Sequence, residues 1–514
     1  MSVSGSKWGA HTSNTITFGI AADHPLFSRK RVVLMQTDAD KDRLPAEVQE
    51  PEPVLDAATW ATQQWADVDL GDRRRNARAL AVGRAMAAKP EATLPNQIAD
   101  WTALREAYRL LSNPVVTLAD LLAPHGHATL AAAAQAPVVL FVEDTTELDY
   151  TAHAAMTGLA PIGNGHGYGL LLHTTLALVP TPRHLLGVAQ AQVVLRQPGQ
   201  RGWKETSPEG RLWQSSATAV GAPPPGGLWV HVSDAGSDDF PYLAACLDHG
   251  KHFLIRAQHN RILVWDPDSP QAADPAAQHL LDYARTLPAA PASGFAVALR
   301  ETKEQPARTA QVVLAWAAVL LPPPEQSADE LAHHAPLAVW VLRIWEPTPP
   351  AGAEAVEWLL LTSVPTQSVA DVRRASDWWY PCRWLCEDLH QVLKTGLRIE
   401  HSQWDDRADV ERLLGFCLPI AVRLLQLREA AQQAPDRPAT DTIDPLMVQV
   451  LVRRQHLEKT TITLAVFWRQ VAKLGGHLGR KSDGPPGWRT VWKGWRYLCD
   501  LTEGARLALM PDTS

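Results

Sequence analysis

The 514-residue sequence has few cysteines and no long apolar segment. Its five cysteines are odd in number and lack the paired spacing of a zinc site. They therefore argue against a disulfide framework and a structural zinc, and they are typical of a reducing compartment. No run of about 18 apolar residues occurs, and the N-terminus lacks a charged start followed by an apolar core, so neither a membrane span nor export is indicated. We therefore expect a cytoplasmic protein.

A net positive charge is also absent, because the formal charge is −7 at pH 7. This balance excludes a uniformly basic, histone-like DNA-binding protein, so any nucleic-acid surface must be local. One such surface is predicted between Arg73 and Pro90, which holds six basic residues and no acidic one. The basic residues are Arg73, Arg74, Arg75, Arg78, Arg84 and Lys89.

The same segment has helical periodicity, and a buried stripe is predicted at Ala77, Leu80, Ala81, Ala85 and Met86. A small helical domain with one cationic face would suit recognition of a DNA end. A basic helix that only faces solvent is the alternative, and composition alone does not choose between the two.

The stretch Asp377–Gly396 carries the strongest chemical pattern. Read as a helix, it places four functional groups within an arc of about 60°. These groups belong to Tyr380, Arg383, Glu387 and Lys394. One carboxylate among three phosphate-seeking side chains suits a metal site that works on a nucleic-acid backbone, whereas a surface face with one Arg–Glu pair is the alternative.

Two further acidic residues follow buried strands. The apolar run Val138–Val142 predicts a strand, and we place Asp144 just past its end. After a predicted hairpin, a second strand ends at Asp234. Three carboxylates from Asp144, Asp234 and Glu387 are what an RNase H-like site requires, because together they can hold two divalent ions about 4 Å apart. Oxygen ligands favour Mg²⁺, with Mn²⁺ able to substitute.

The remaining pattern predicts an α/β (α+β) protein of several domains. Strands at Val312–Leu321, Leu337–Ile344 and Trp358–Thr362 form a β insertion, and a helix at Arg407–Gln433 is bent or broken near Pro419. The predicted domains are a flexible extension (1–55), a helical DNA-end-binding domain (56–117), an RNase H-like catalytic domain (118–440) with the insertion at about 261–365, and a helical C-terminal domain (441–514) for dimerisation or DNA contact.

The chain resembles the DDE-type bacterial insertion-sequence transposases marked by a Tyr–Arg–Glu–Lys signature, whose best-known member moves a composite kanamycin-resistance transposon. The signature spacing Y-x2-R-x3-E-x6-K occurs without a gap from Tyr380 to Lys394. EDTTELDY and VSDAGSDDF resemble the family's two aspartate blocks, and LGDRRRNAR and AYRLLSNP resemble its DNA-end domain. The likeness covers roughly Trp60–Leu507. A departure is Ala235, where relatives usually have arginine.

The resemblance implies that the three acids bind two Mg²⁺ ions and that Tyr380, Arg383 and Lys394 hold phosphates and steady a hairpin intermediate. It also implies further DNA contacts, at Trp358 (stacking on a flipped base), Arg256, Arg73, Arg74, Arg75 and Arg78. The implied reaction is cut-and-paste transposition, in which hydrolysis, hairpin formation, hairpin opening and strand transfer follow one another. Two subunits holding two ends of double-stranded DNA imply a homodimer, associated with the nucleoid when bound.

Two alternatives stay open. One is a catalytically silent DNA-binding remnant or an inhibitor of transposition, against which the intact acidic triad argues. The other is a general RNase H-like nuclease, against which the phosphate-binding trio and the separate end-recognition domain argue.

Overall fold

The computed structural model describes residues 57–196, 211–300, 306–324, 333–458, 461–480, 486 and 488–509. The predicted extension, 1–55, lies outside these residues. The chain divides into two compact units, and one of them contains His259–Leu359. The other contains the described residues up to Gln258 together with those from Leu360 onward.

The described part of the larger unit begins with five helices, and the sequence predicted helical structure for this region. They are α1 (Ala57–Trp65), α2 (Arg73–Ala88), α3 (Leu94–Gln97), α4 (Trp101–Leu111) and α5 (Leu118–Ala133). Side-chain caps define where three of them start: Asp72 accepts from backbone N–H groups of α2, Asp100 caps α4, and Thr117 forms a capping box with Asp120 at α5.

The predicted buried stripe of α2 is largely wrong. Its buried residues are Ala79, Val82, Gly83, Met86 and Ala87, so only Met86 was predicted correctly. The face is set by Trp65, whose ring lies so close that a Cβ at Gly83 would sit 2.3 Å from Trp65 Cε3. Alanines occur on both sides of α2, so hydrophobic periodicity could not identify the face on which the indole packs.

The sheet of the larger unit is mixed. Its strands are β1 (Val138–Asp149), β2 (Ala160–Ile162), β3 (Gly167–Pro180), β4 (Arg183–Val194), β5 (Leu228–Ser233), β6 (His252–Arg256) and the end of β10 (Glu357–Thr362). Strands β1, β5 and β6 are parallel neighbours, and β3 is antiparallel to β1. On the side away from β1, strand β3 pairs with β2 and β4. The end of β10 is antiparallel to β6. This topology confirms the predicted α/β class and is consistent with an RNase H-like core.

The predicted end of β1 is wrong. The strand continues to Asp149, and Asp144 pairs with Thr174 of β3 within it. Parallel pairing with β5 stops at Val142–Val232, but antiparallel pairing with β3 extends β1 beyond that point. The apolar run thus marked only the part of β1 that has a strand on both sides. The glycine-rich segment Gly163–Gly169 is partly strand, because β3 begins at Gly167. At Gly169 a Cβ would lie 2.0 Å from the carbonyl oxygen of Leu148, so glycine is required by the close approach of β1.

Further helices of the larger unit follow these strands or alternate with them along the chain. They are α6 (Leu212–Ala219), α7 (Phe240–Asp248), α9 (Val369–Gln391) and α10 (Arg407–Gln433), followed by the C-terminal helices α11 (Pro445–Arg454), α12 (Leu464–Leu474) and α13 (Trp488–Leu509). Trp379 of α9 donates from its indole to the carbonyl of Ser233, 2.8 Å away, which anchors this helix beside the end of β5. Helix α10 runs through Pro419 as one element, so the predicted break is absent.

In its described residues the smaller unit has a short antiparallel sheet and one α-helix. It contains α8 (Leu280–Thr286), β7 (Phe295–Leu299), β8 (Arg308–Leu321) and β9 (Leu337–Trp345), with β8 between the other two strands. The predicted strands at β8 and β9 are confirmed, whereas β7 was not predicted. Across the described ranges of both units, no helix has the combined length and apolarity needed to cross a membrane.

Candidate active site

The structure brings Asp144, Asp234 and Glu387 within electrostatic reach of one another. The pKa of Asp144 is raised to about 7, first by burial and then by the Asp234 carboxylate, with a smaller contribution from Glu387. A hydrogen bond from the backbone N–H of Thr145 and the positive charge of Arg383 act in the opposite direction. The carboxylates therefore form one interacting group, although the acids are far apart along the chain.

Strand register explains how the two aspartates meet. In the β1–β5 ladder, Phe141 is opposite His231 and Val142 is opposite Val232. Asp144 and Asp234 each follow the last pair by two residues, so they occupy equivalent positions past the same edge of the parallel pairing. Asp234 is held there as the cap of a short 3₁₀ turn, since its carboxylate accepts from the N–H of Gly236 at 2.8 Å.

Helix α9 supplies the third acid together with a cation. Arg383 and Glu387 form an i,i+4 ion pair with 2.9 Å between Nη1 and Oε1. The guanidinium also lies over the rings of Trp379 and Trp384, at 5.7 and 5.3 Å from their centroids. The Arg383 side chain is only 14% exposed, against 36% for Glu387. Tyr380 is half-buried in the same aromatic group, its ring 6.4 Å from that of Trp384.

A buried histidine fixes α9 against the sheet. His390 Nε2 and Thr174 Oγ1 are 2.9 Å apart and share a hydrogen bond. Burial, followed by the charge of Lys394, lowers the pKa of His390 to about 3, so its imidazole is neutral at physiological pH. Thr174 pairs with Asp144 across β1 and β3. The contact therefore joins the helix that carries Glu387 to the strand beside Asp144.

Lys394 does not continue the regular helix that the sequence predicted. Helix α9 ends at Gln391, and Val392–Gly396 is a π-helical turn. Because a π turn has more residues per turn than an α-helix, the angular position calculated at about 100° per residue does not apply to Lys394. Its ammonium group lies 3.6 Å from Glu400 Oε1.

The other predicted DNA contacts lie on α2, β6 and β10. Arg73 and Arg74 are exposed at the start of α2, and Arg75 is half-buried. Arg78 forms an ion pair with Glu106 of α4. At the end of β6, opposite Leu360, Arg256 is exposed. In β10, Trp358 is only 8% exposed, so its indole is covered by protein in this structure.

One exposed face of the N-terminal helices was missed from the sequence. Trp101, Arg105 and Arg109 are all exposed on α4, and Trp101 is 70% exposed. Their spacing of four residues puts an aromatic ring and two guanidinium groups on one helix face. This spacing could have been recognised in the sequence, because an aromatic ring beside guanidinium groups suits the bases and phosphates of nucleic acids.

The acidic group fits hard divalent cations by its donor chemistry. All three side chains offer carboxylate oxygens, and the mutual repulsion that raises the pKa of Asp144 is what a bound dication would relieve. Within the described residues, however, no three His, Cys, Asp or Glu side chains are already gathered as one set of ligands. For a cation to bind, Glu387 would have to exchange the guanidinium of Arg383 for it.

Comparison with protein-family models gives two matches. Residues 57–116 match a model described as transposase DNA-binding, and residues 420–512 match one described as the transposase Tn5 dimerisation domain. These matches support a Tn5-type transposase. The first covers helices α1 to α4 of the chain, and the second covers the end of α10 together with α11, α12 and α13. They support DNA binding by the N-terminal helices and self-association through the C-terminal ones.

Proposed function

We propose that this transposase cuts and pastes DNA with Asp144, Asp234 and Glu387 as its catalytic acids. The observation that carries the proposal is the interaction of the three carboxylates just past the point where the parallel pairing of β1 and β5 stops, next to Arg383. When bound, two Mg²⁺ ions, or Mn²⁺ in their place, would activate the attacking hydroxyl and stabilise the leaving oxygen.

The residues around the acids would orient the DNA. Arg383 is already partly shielded by Trp379 and Trp384, which strengthens its attraction to a phosphate that displaces Glu387. In this proposal, Tyr380 and Lys394 hold further phosphates of the same end. Such a site would position first a water molecule, then the freed 3′-hydroxyl for hairpin formation, then a second water molecule, and finally the target strand.

The proposal is tested by incubating the purified chain with Mg²⁺ and the DNA that flanks its gene. We expect nicking and hairpin formation at specific ends, and loss of cleavage in Asp144→Ala, Asp234→Ala and Glu387→Ala with end binding retained. Glu147→Gln is a matched control, since Glu147 lies on β1 but accepts from the N–H of Gly163 instead of joining the acids.

The other possible outcomes each favour a different function or exclude a residue from the site. End binding without cleavage by the unaltered chain would favour the silent remnant or inhibitor, and cleavage indifferent to DNA sequence would favour a general nuclease. Near-normal cleavage by any one alanine variant would remove that residue from the site.

A further inference from the structure

Hydrogen-bonded pairing of β1 with β5 ends just before the two aspartates. The last opposed residues are Val142 and Val232, and beyond them β1 is paired with β3 alone in this described part of the sheet. The β1–β5 backbone ladder therefore does not extend to the level of Asp144 and Asp234. The register of β1 and β5 brings the two aspartates together, and side-chain contacts between the elements that carry them can adjust the separation of the carboxylates.

Glu143 makes these contacts. Its side chain is completely buried, and Oε1 accepts from Nδ1 of His231 on β5 at 2.8 Å. On the other oxygen, Oε2 accepts from the hydroxyl of Tyr242 on α7 at 3.0 Å. The hydroxyls of Thr175 and Ser216 lie 3.3 and 3.2 Å from Oε1. One carboxylate thus joins β1, β3, β5, α6 and α7.

We propose that Glu143 is a positioning residue that sets the separation of Asp144 and Asp234 for divalent-cation binding, an inference that rests on the proposed function. Glu143 directly precedes Asp144, while His231 and Tyr242 lie on the elements before and after Asp234. Because neighbouring side chains on a strand point to opposite faces, Glu143 acts from behind the sheet without touching the reacting atoms. Removing a group that hydrogen-bonds a metal ligand typically weakens metal binding about 10- to 100-fold, and Glu143 acts on the ligands through the backbone and neighbouring elements, so we expect a loss near the lower end of that range.

The test is Mn²⁺ binding by the full chain without DNA, measured at 25 °C from the electron paramagnetic resonance signal of free Mn²⁺. Glu143→Gln keeps the size of the side chain but replaces one acceptor oxygen with a donor. We expect at least about tenfold weaker Mn²⁺ binding, with DNA cleavage partly restored at high Mn²⁺. Glu147→Gln, on the same strand, is expected to bind Mn²⁺ like the unaltered chain.

A merely structural role for Glu143 would lower the unfolding temperature but leave Mn²⁺ binding at 25 °C unchanged, and that result would overturn the proposal. If Glu143→Gln does not fold, Tyr242→Phe decides, because it removes one hydrogen bond from the same carboxylate. We expect it to weaken Mn²⁺ binding about three- to tenfold, and unchanged binding would again overturn the proposal. An unaltered chain that neither binds Mn²⁺ nor cuts DNA would overturn the proposed function together with this inference. Equal binding by the unaltered chain and the variants would overturn this inference alone.

Discussion

Replacing Asp144 with asparagine should stabilise the metal-free protein at pH 8 while abolishing DNA cleavage. In the folded chain the Asp144 carboxylate is desolvated and repelled by Asp234, and both effects disfavour its charged form. Asparagine has nearly the same shape and carries no charge. The substitution therefore removes the repulsion and keeps most of the packing.

The size of the effect follows from the pKa. Folding raises the pKa of Asp144 from 3.8 to about 7, and each unit corresponds to about 1.4 kcal/mol, so the destabilisation above pH 7 is at most about 4 kcal/mol. The folded state holds the proton more tightly than the unfolded state. Stability is therefore lost as pH rises from about 4 to about 7 and changes no further above that range. Rotation of the side chain toward solvent makes this figure an upper bound.

Thermal unfolding in EDTA at a series of pH values measures this effect. The stability advantage of Asp144→Asn should be small at pH 4, grow up to about pH 7 and then level off. Added Mg²⁺ should stabilise the unaltered chain at pH 8 but not the variant. A difference between Asp144→Asn and the unaltered chain that stays constant across this pH range would refute the reasoning.

Other substitutions test other parts of the molecule. Arg383→Ala should impair hairpin formation more than first-strand nicking, resolved on denaturing gels, and equal loss at both steps would contradict its phosphate-binding role. Arg74→Ala should weaken DNA-end binding and reduce the slope of log K against log salt by about one. Arg84→Ala should change this slope little, because the guanidinium of Arg84 is bonded to a threonine of α1. Similar slopes for both variants would argue against a specific contact. Gly169→Ala should lower the free energy of unfolding by about 1–3 kcal/mol because the methyl group meets a carbonyl of β1. Gly504→Ala, with nothing within 4 Å, should instead stabilise α13 by up to about 1 kcal/mol, and equal effects of the two substitutions would show that the steric argument is wrong.

The helices and strands with strong local sequence signals were predicted best. The N-terminal helices have helical periodicity, and the strands β3 and β4 are largely apolar segments joined by a proline-containing turn, so their existence could be predicted. Reasoning from local patterns was less accurate at the end of β1, at the buried face of α2 and at the π turn after Gln391. In the first two cases a contact with another segment determined the conformation: β3 prolongs β1, and Trp65 selects the face of α2.

For the candidate site, the sequence alone determined the kinds of functional groups and their order along the chain. Spacing within one helix is set by local geometry, so Arg383 and Glu387 could be predicted as neighbours before any fold was known. Tertiary structure alone decided that Asp144 and Asp234 lie side by side, because their proximity depends on the register of two strands separated by a long stretch of chain. It also decided that Glu143 is buried among donors from several elements, since a buried charge is tolerated only where distant residues converge to satisfy it.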